Sequence, residues 1–143
     1  MLAYAATLTP DEEDGGFVVT FRDVPEAITQ GGTLDQALFN AADALTVALD
    51  GYVEAGWAFP KRSSTRASQH LITLPALTAA KLELYRRMCE TRTTRVAFAQ
   101  MLGTDERAVR RLLAYKHRSH IGQIEAALAK LGKRLEISVR DAA

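Results

Sequence analysis

The spacing of hydrophobic positions changes once along this chain, from two-residue alternation to helical repeats. Between Leu2 and Leu8, the residues Tyr4, Ala6 and Leu8 alternate onto one face, the period of a half-buried strand. Phe17, Val19 and Phe21 repeat that alternation, with Val18 and Thr20 between them, all β-favouring types. The intervening Thr9–Gly16 holds a proline, four acids and two glycines, so it predicts a turn that joins the two runs as a hairpin. Asp23-Val24-Pro25 breaks the second run. Ala27–Gln30 resumes as a short third strand, and Gly31-Gly32 ends it.

From Thr33 the period is helical. Leu34, Leu38, Ala41, Leu45, Leu49 and Tyr52 form one apolar stripe that would pack on the sheet. Thr33 is the predicted cap, with Gln36 three residues on completing a capping box and Asp35 favouring the positive helix end. Gly56 is the predicted stop. Gly51, inside the helix, costs about 1 kcal/mol against alanine, and the pattern gives no reason for it. Trp57–Pro60 reads as an anchored end and Lys61–Gln69 as a polar, basic loop. His70–Leu74 predicts a fourth strand, stopped by Pro75.

Beyond Ala76 only helices are predicted until the end. Leu77–Glu90 carries Ala80, Leu84 and Met88 on one side. Arg95–Leu102 and Asp105–Ala114 follow, the latter capped by Thr104. Ser119 is expected to cap a last helix with Ile121, Ile124, Leu128 and Leu131 inward, ended by Gly132. Leu135–Val139 then predicts a strand with no partner of its own; a copy of itself in a second subunit is one candidate. The fold class expected is α+β, divided near residues 74–77 into a sheet-and-helix domain (1–75) and a helical domain with a C-terminal strand (76–143).

Within the second domain, Arg95–Ala114 has the spacing of a DNA-binding helix-turn-helix. Ala99 is small where two helices would cross, Gly103 suits a left-handed turn, and Val109 and Leu112 follow as buried aliphatics. The second helix carries Arg107, Arg110 and Arg111, and arginine reads guanine through two parallel hydrogen bonds. Thr104 and Glu106 stand at its start, where Glu106 could accept from a cytosine amino group. Thr94 and Arg95 begin the preceding helix, whose N-terminus can face a phosphate. Lys116 and Arg118 follow and could bind backbone. The bland alternative is a solvated arginine face, with Glu106 paired to Arg110 at i,i+4.

Charge sharpens this picture. Residues 1–60 hold ten Asp or Glu against one basic residue, Arg22, a net of −9; residues 61–143 hold seventeen Lys or Arg against seven acids, a net of +10. The overall +1 therefore hides two halves suited to different partners: nucleic acid for the basic one, a basic partner for the acidic one. Apolar content of 48% excludes a disordered chain, and no apolar run approaches the roughly 20 residues of a membrane helix. No basic segment and apolar core open the sequence, so a signal peptide is not expected. The single cysteine, Cys89, allows no intrachain disulfide, which suits the cytoplasm. His117 and His120 lack neighbours in sequence that would complete a metal site, so neither metal nor cofactor is expected.

Several segments together resemble the HicB antitoxin family. They are Asp14-Gly15-Gly16-Phe17-Val18-Val19, Phe21-Arg22-Asp23-Val24-Pro25-Glu26-Ala27, Thr29-Gln30-Gly31-Gly32-Thr33-Leu34-Asp35-Gln36-Ala37, Asn40-Ala41 and Gly56-Trp57-Ala58-Phe59-Pro60. The resemblance covers roughly residues 1–75; Glu26-Ala27 depart from the glycine and small residue usual after the Asp-x-Pro step. It implies a partial ribonuclease-H-like βββαβ domain that binds a HicA-type RNA-cleaving toxin. It also implies a C-terminal domain on the operator DNA of its own operon, in a homodimer or higher assembly. The acids Asp11, Glu12, Glu13, Asp14, Asp23 and Glu26 would then face the toxin. A metal-dependent nuclease needs carboxylates that converge, whereas four of these crowd one turn, so no catalytic residue and no enzyme activity is expected. A stand-alone ligand-responsive repressor is the alternative function.

Overall fold

The computed structural model describes residues 2–142. Four strands, β1 (Ala3–Pro10), β2 (Phe17–Phe21), β3 (Ile28–Gly31) and β4 (His70–Thr73), form one antiparallel sheet in the order β3-β2-β1-β4. Helix α1 (Leu34–Ala55) covers one face. Helices α2 (Ala76–Glu90), α3 (Arg95–Leu102), α4 (Glu106–Leu113) and α5 (Ile121–Lys130) follow. The fold is mixed α+β, an antiparallel sheet first and helices afterwards. No described helix is long and apolar enough to cross a membrane.

The hairpin forms because Asp11 and two glycines build its turn. The Asp11 carboxylate accepts from the backbone N–H groups of Glu13 and Asp14, and Gly15 and Gly16 adopt φ of +75° and +77°. A Cβ on Gly16 would strike the Gly31 carbonyl, and one on Gly31 would strike the backbone of Ala37. The register sets Tyr4 beside Ile72, Ala6 beside Phe21 and Leu8 beside Val19, so these side chains share the face under α1.

On α1, Ala41, Leu45 and Leu49 are buried as the stripe predicts, joined by Ala37 and Val53. Leu34 is not inward: it is 44% exposed, because the first turn overhangs the sheet edge. Thr33 caps the helix by accepting from the Gln36 N–H. Gln36 reaches one residue further back than a capping box, to the N–H of Gly32. Gly56 closes the helix at φ +76°. The chain after it is pinned by two buried phenols: Tyr85 donates to the Trp57 carbonyl (2.8 Å) and Tyr4 to the Pro60 carbonyl (2.7 Å). Burial pushes the Tyr4 phenol up to about 12, so it remains a donor.

Helix α2 packs on both sides. It meets α1 and also α4 and α5, and its Lys81, Leu82, Leu84, Tyr85 and Met88 are all buried. The buried apolar residues consequently form one continuous cluster from Leu2 to Leu131.

Three expectations fail in the helical half. Asp105, not Thr104, caps α4, its carboxylate accepting from the Ala108 N–H at 2.9 Å; Thr104 instead completes the turn after Gly103, donating its N–H to Ala99. Ser119 does not cap α5, because its hydroxyl accepts from Lys81; His120 holds the cap position, and Ile121 is exposed rather than inward. Leu135–Val139 is not a strand: no strand among the described residues lies beside it to complete a ladder.

Two glycines should respond oppositely to alanine. A methyl group on Gly51 would meet nothing within 4 Å, so Gly51→Ala should gain about 1 kcal/mol of helix stability. Gly31→Ala should lower the melting temperature, since its methyl has no room. Thermal melts of both variants check the pair; a destabilised Gly51→Ala would contradict this account.

Candidate nucleic-acid interface and acidic surface

Helices α3 and α4 are short, and their geometry rests on three devices. Thr94 caps α3, accepting from the Ala97 N–H at 3.1 Å. Gly103 ends α3 at φ +67°, a left-handed turn that glycine adopts without strain. Phe98 and Ala99 of α3 and Val109 and Leu113 of α4 are buried together, which orients α4 against α3.

The opposite face of α4 is basic. With Val109 and Leu113 inward, the 100° step per residue sends Arg107 and Arg111 directly outward, and both are exposed. Arg110 lies to one side and is held by the Glu106 carboxylate at 3.0 Å. Among the described residues no carboxylate pairs with Arg107 or Arg111. Thr104, Lys116 and Arg118 are exposed around this helix. Arg95 is directed elsewhere: its guanidinium donates to the Val53 carbonyl in the last turn of α1.

The C-terminal end of α4 holds a group that sequence reasoning missed. The fully buried Lys81 ammonium lies 2.8, 2.9 and 2.7 Å from the carbonyls of Arg111, Ala114 and His117, and 2.9 Å from the Ser119 hydroxyl. A cation at the negative end of a helix is favoured there, and the carbonyls replace its water. Burial lowers its pKa from the ordinary lysine value. The available signal was its spacing: Lys81 stands four residues after Leu77 and four before Tyr85, within an apolar stripe.

The six acids of the N-terminal half occupy three separate places. Asp11 is engaged in the hairpin turn, where Glu12, Glu13 and Asp14 are exposed. Asp23 accepts from both the hydroxyl (2.6 Å) and the backbone N–H (2.7 Å) of Ser63, fastening the 61–69 loop. Those two bonds hold its carboxyl below the ordinary 3.8. Glu26 accepts from the Tyr52 hydroxyl at 2.7 Å. Among the described residues no three His, Cys, Asp or Glu side chains gather as a metal site would require.

Beside Glu26 and Tyr52 runs a second feature the hydrophobic pattern missed. A shallow groove of about 530 Å³ has Ala44, Ala48 and Gly51 of α1 for its floor, with Ile28, Val47 and Trp57 exposed around it. Val47 off the stripe and the glycine at 51 were its only traces in the sequence.

The molecule is thus an α+β protein with an acidic sheet-and-helix end and a basic helical end. Residues 3–83 match the family described as HicB-like antitoxin of bacterial toxin–antitoxin systems. The chain is similar to Antitoxin HicB of Escherichia coli, 35% identical over 136 residues covering 95% of this chain and 98% of that protein. It is also similar to Antitoxin HicB 2 of Photorhabdus laumondii, 37% identical over 127 residues, covering 89% and 90%. With Antitoxin HicB of Pseudomonas fluorescens it shares 36% identity over 143 residues, covering 99% and 97%. The chain belongs to the HicB-like antitoxin family.

Two stability measurements probe this geometry. Lys81→Met keeps the apolar stem and removes the donors; leaving buried carbonyls unpaired should cost roughly 3 kcal/mol in denaturant unfolding. An unchanged midpoint would mean these bonds contribute nothing net. Asp23 has a folded pKa below its unfolded one, so its contribution is present above 3.8 and is lost as pH falls through the lower folded value. Ser63→Ala should therefore flatten the acid limb of the stability–pH curve; an unaltered limb would assign that limb to other carboxylates.

Proposed function

We propose that this protein is an antitoxin that neutralises a HicA-type RNA-cleaving toxin and represses its own operon. In this reading residues 1–75 form the toxin-binding domain, and residues 76–143 form a helix-turn-helix domain on operator DNA, in the cytoplasm. The observation that carries it is the unpaired basic face of α4, Arg107 and Arg111, on a chain of this family whose first sixty residues carry −9.

Each half has its own support. The order β1-β2-β3-α1-β4 fits a partial ribonuclease-H-like unit. The exposed acids Glu12, Glu13 and Asp14, with Glu26, attract a basic protein, and the apolar groove beside Glu26 offers it a surface to bury. For DNA, the buried Ala99, the left-handed Gly103 and the buried Val109 fit a helix-turn-helix with α4 as the recognition helix. Arg107 and Arg111 would enter the groove, with Thr94, Thr104, Lys116 and Arg118 near the backbone. Arg110 and Glu106 act as a pair, and Arg95 acts through its anchor on α1.

Operator binding by fluorescence anisotropy tests the DNA arm. Arg107→Ala and Arg111→Ala should each weaken it by roughly 1–3 kcal/mol, and Arg110→Ala by less, because Glu106 already offsets its charge. Affinity should also fall steeply with salt. Unchanged binding in the Arg107→Ala, Arg111→Ala double variant would remove α4 from the groove. Co-expression with the toxin should restore growth and yield a stable complex; purified partners that fail to associate would sink the antitoxin reading.

A further inference from the structure

The end of the chain has a strand's pattern and no ladder. In an extended conformation Leu135, Ile137 and Val139 fall on one side and Glu136, Ser138 and Arg140 on the other. Among the described residues no backbone–backbone hydrogen bond involves 134–142. Leu135 is half-buried against the core, whereas Ile137 and Val139 are 80% and 93% exposed. The segment borders a cleft of about 780 Å³ against α2 and α5, with Leu77, Ala80, Ile121 and Leu128 in its walls. Exposed β-branched residues on an open extended edge are an arrangement that folded proteins normally cover.

We propose that this segment pairs antiparallel with the same segment of a second copy of the chain, about a two-fold axis at Ser138. An antiparallel pair of identical strands closes on itself and gives a dimer rather than a fibre. Charge selects the register. With Ser138 opposite Ser138, Ile137 faces Val139 twice and Glu136 faces Arg140 twice, so the two most exposed apolar residues cover each other and opposite charges meet. A register centred on Ile137 sets Arg134 against Arg140, and one centred on Glu136 sets that carboxylate against itself. In-register parallel pairing sets every charge against its own kind. A two-stranded ribbon is marginal alone, and the cleft walls supply the apolar surface beneath it.

This deepens the proposed repressor, whose two α4 helices would meet two operator half-sites, and it rests on that reading only for its purpose. The dimer itself is measured without DNA or toxin. The full-length chain should sediment as a dimer at tens of micromolar. Glu136→Arg and Arg140→Glu should each raise the dimer dissociation constant at least about tenfold, the scale of losing the paired charges and adding like ones. The charge-swapped double variant should restore the dimer. Ser138→Cys should form a disulfide-linked dimer on mild oxidation and Ile137→Cys should not, since only directly opposed residues come within bonding range. A monomeric wild type, single variants that dimerise unchanged, a double variant that stays monomeric, or preferential cross-linking through Ile137→Cys would each overturn the proposal. A dimer that persists without operator binding would refute the repressor reading and leave this one standing.

Discussion

One ammonium group fixes the basic end of this protein. Lys81 leaves water entirely to reach the end of α4, where three carbonyls and a hydroxyl surround it. An ammonium has three N–H groups for these four acceptors, so at least one bond is shared. Burying the charge is costly in an apolar interior and tolerable only where polar groups replace its hydration. Here the acceptors belong to the last turn of α4 and to the loop that leads to α5. An eight-residue helix is marginal by itself. Its position comes from Val109 and Leu113 on one side and from this cation at its end. The outward direction of Arg107 and Arg111 follows from both.

Because Lys81 belongs to α2, the same helix connects the two oppositely charged halves. Tyr85, one turn later, binds the carbonyl of Trp57 behind α1, while Arg87 binds the carbonyl of Leu131 after α5. A second tie runs from Arg95 of α3 to the carbonyl of Val53. It borders a crevice of about 390 Å³ lined by Asp50 and Glu54 on one side and Arg95 and Arg110 on the other. The Asp50 carboxyl is raised by burial and then by Glu54, with Lys116 opposing. The acidic and basic halves therefore share a boundary made of named side chains, and the charge split of the sequence becomes a contact between α1 and the α3–α4 pair.

The legible parts of this fold are those written in local pattern. Two-residue alternation located β1, β2 and β4, and the αL positions of Gly56 and Gly103 were readable as glycines at helix ends. What failed needed tertiary information. Thr104 and Asp105 are both good caps by type, and Asp105 takes the role because the Gly103 turn directs the Thr104 N–H back to Ala99. Ser119 lost its cap role to a lysine 38 residues away. The strand pattern of Leu135–Val139 was legible, but a strand exists only with a partner, and this one has none in its own chain. Among the candidate residues, the exposed arginines were readable from helical spacing. The anchoring of Arg95 and Asp23 was not, since the partner of each lies forty or more residues away.

The acidic half shows why charge alone is a poor guide to where a partner sits. Coulomb attraction between exposed groups extends about a Debye length, near 8 Å at physiological salt, and it speeds encounter more than it holds a complex. The turn acids Glu12, Glu13 and Asp14 are of that kind: hydrated, mutually repelling and without apolar neighbours to exclude water. Tight binding draws on buried apolar and aromatic anchors ringed by polar groups. Trp57, Ile28 and Val47 around the Ala44–Ala48–Gly51 floor, with Glu26 held in place by Tyr52, have that composition. Gly51 keeps the floor open at a cost of about 1 kcal/mol in helix propensity. A cost with no return inside the chain is accounted for if the open floor itself is what the helix provides, and then the acids attract while the groove retains.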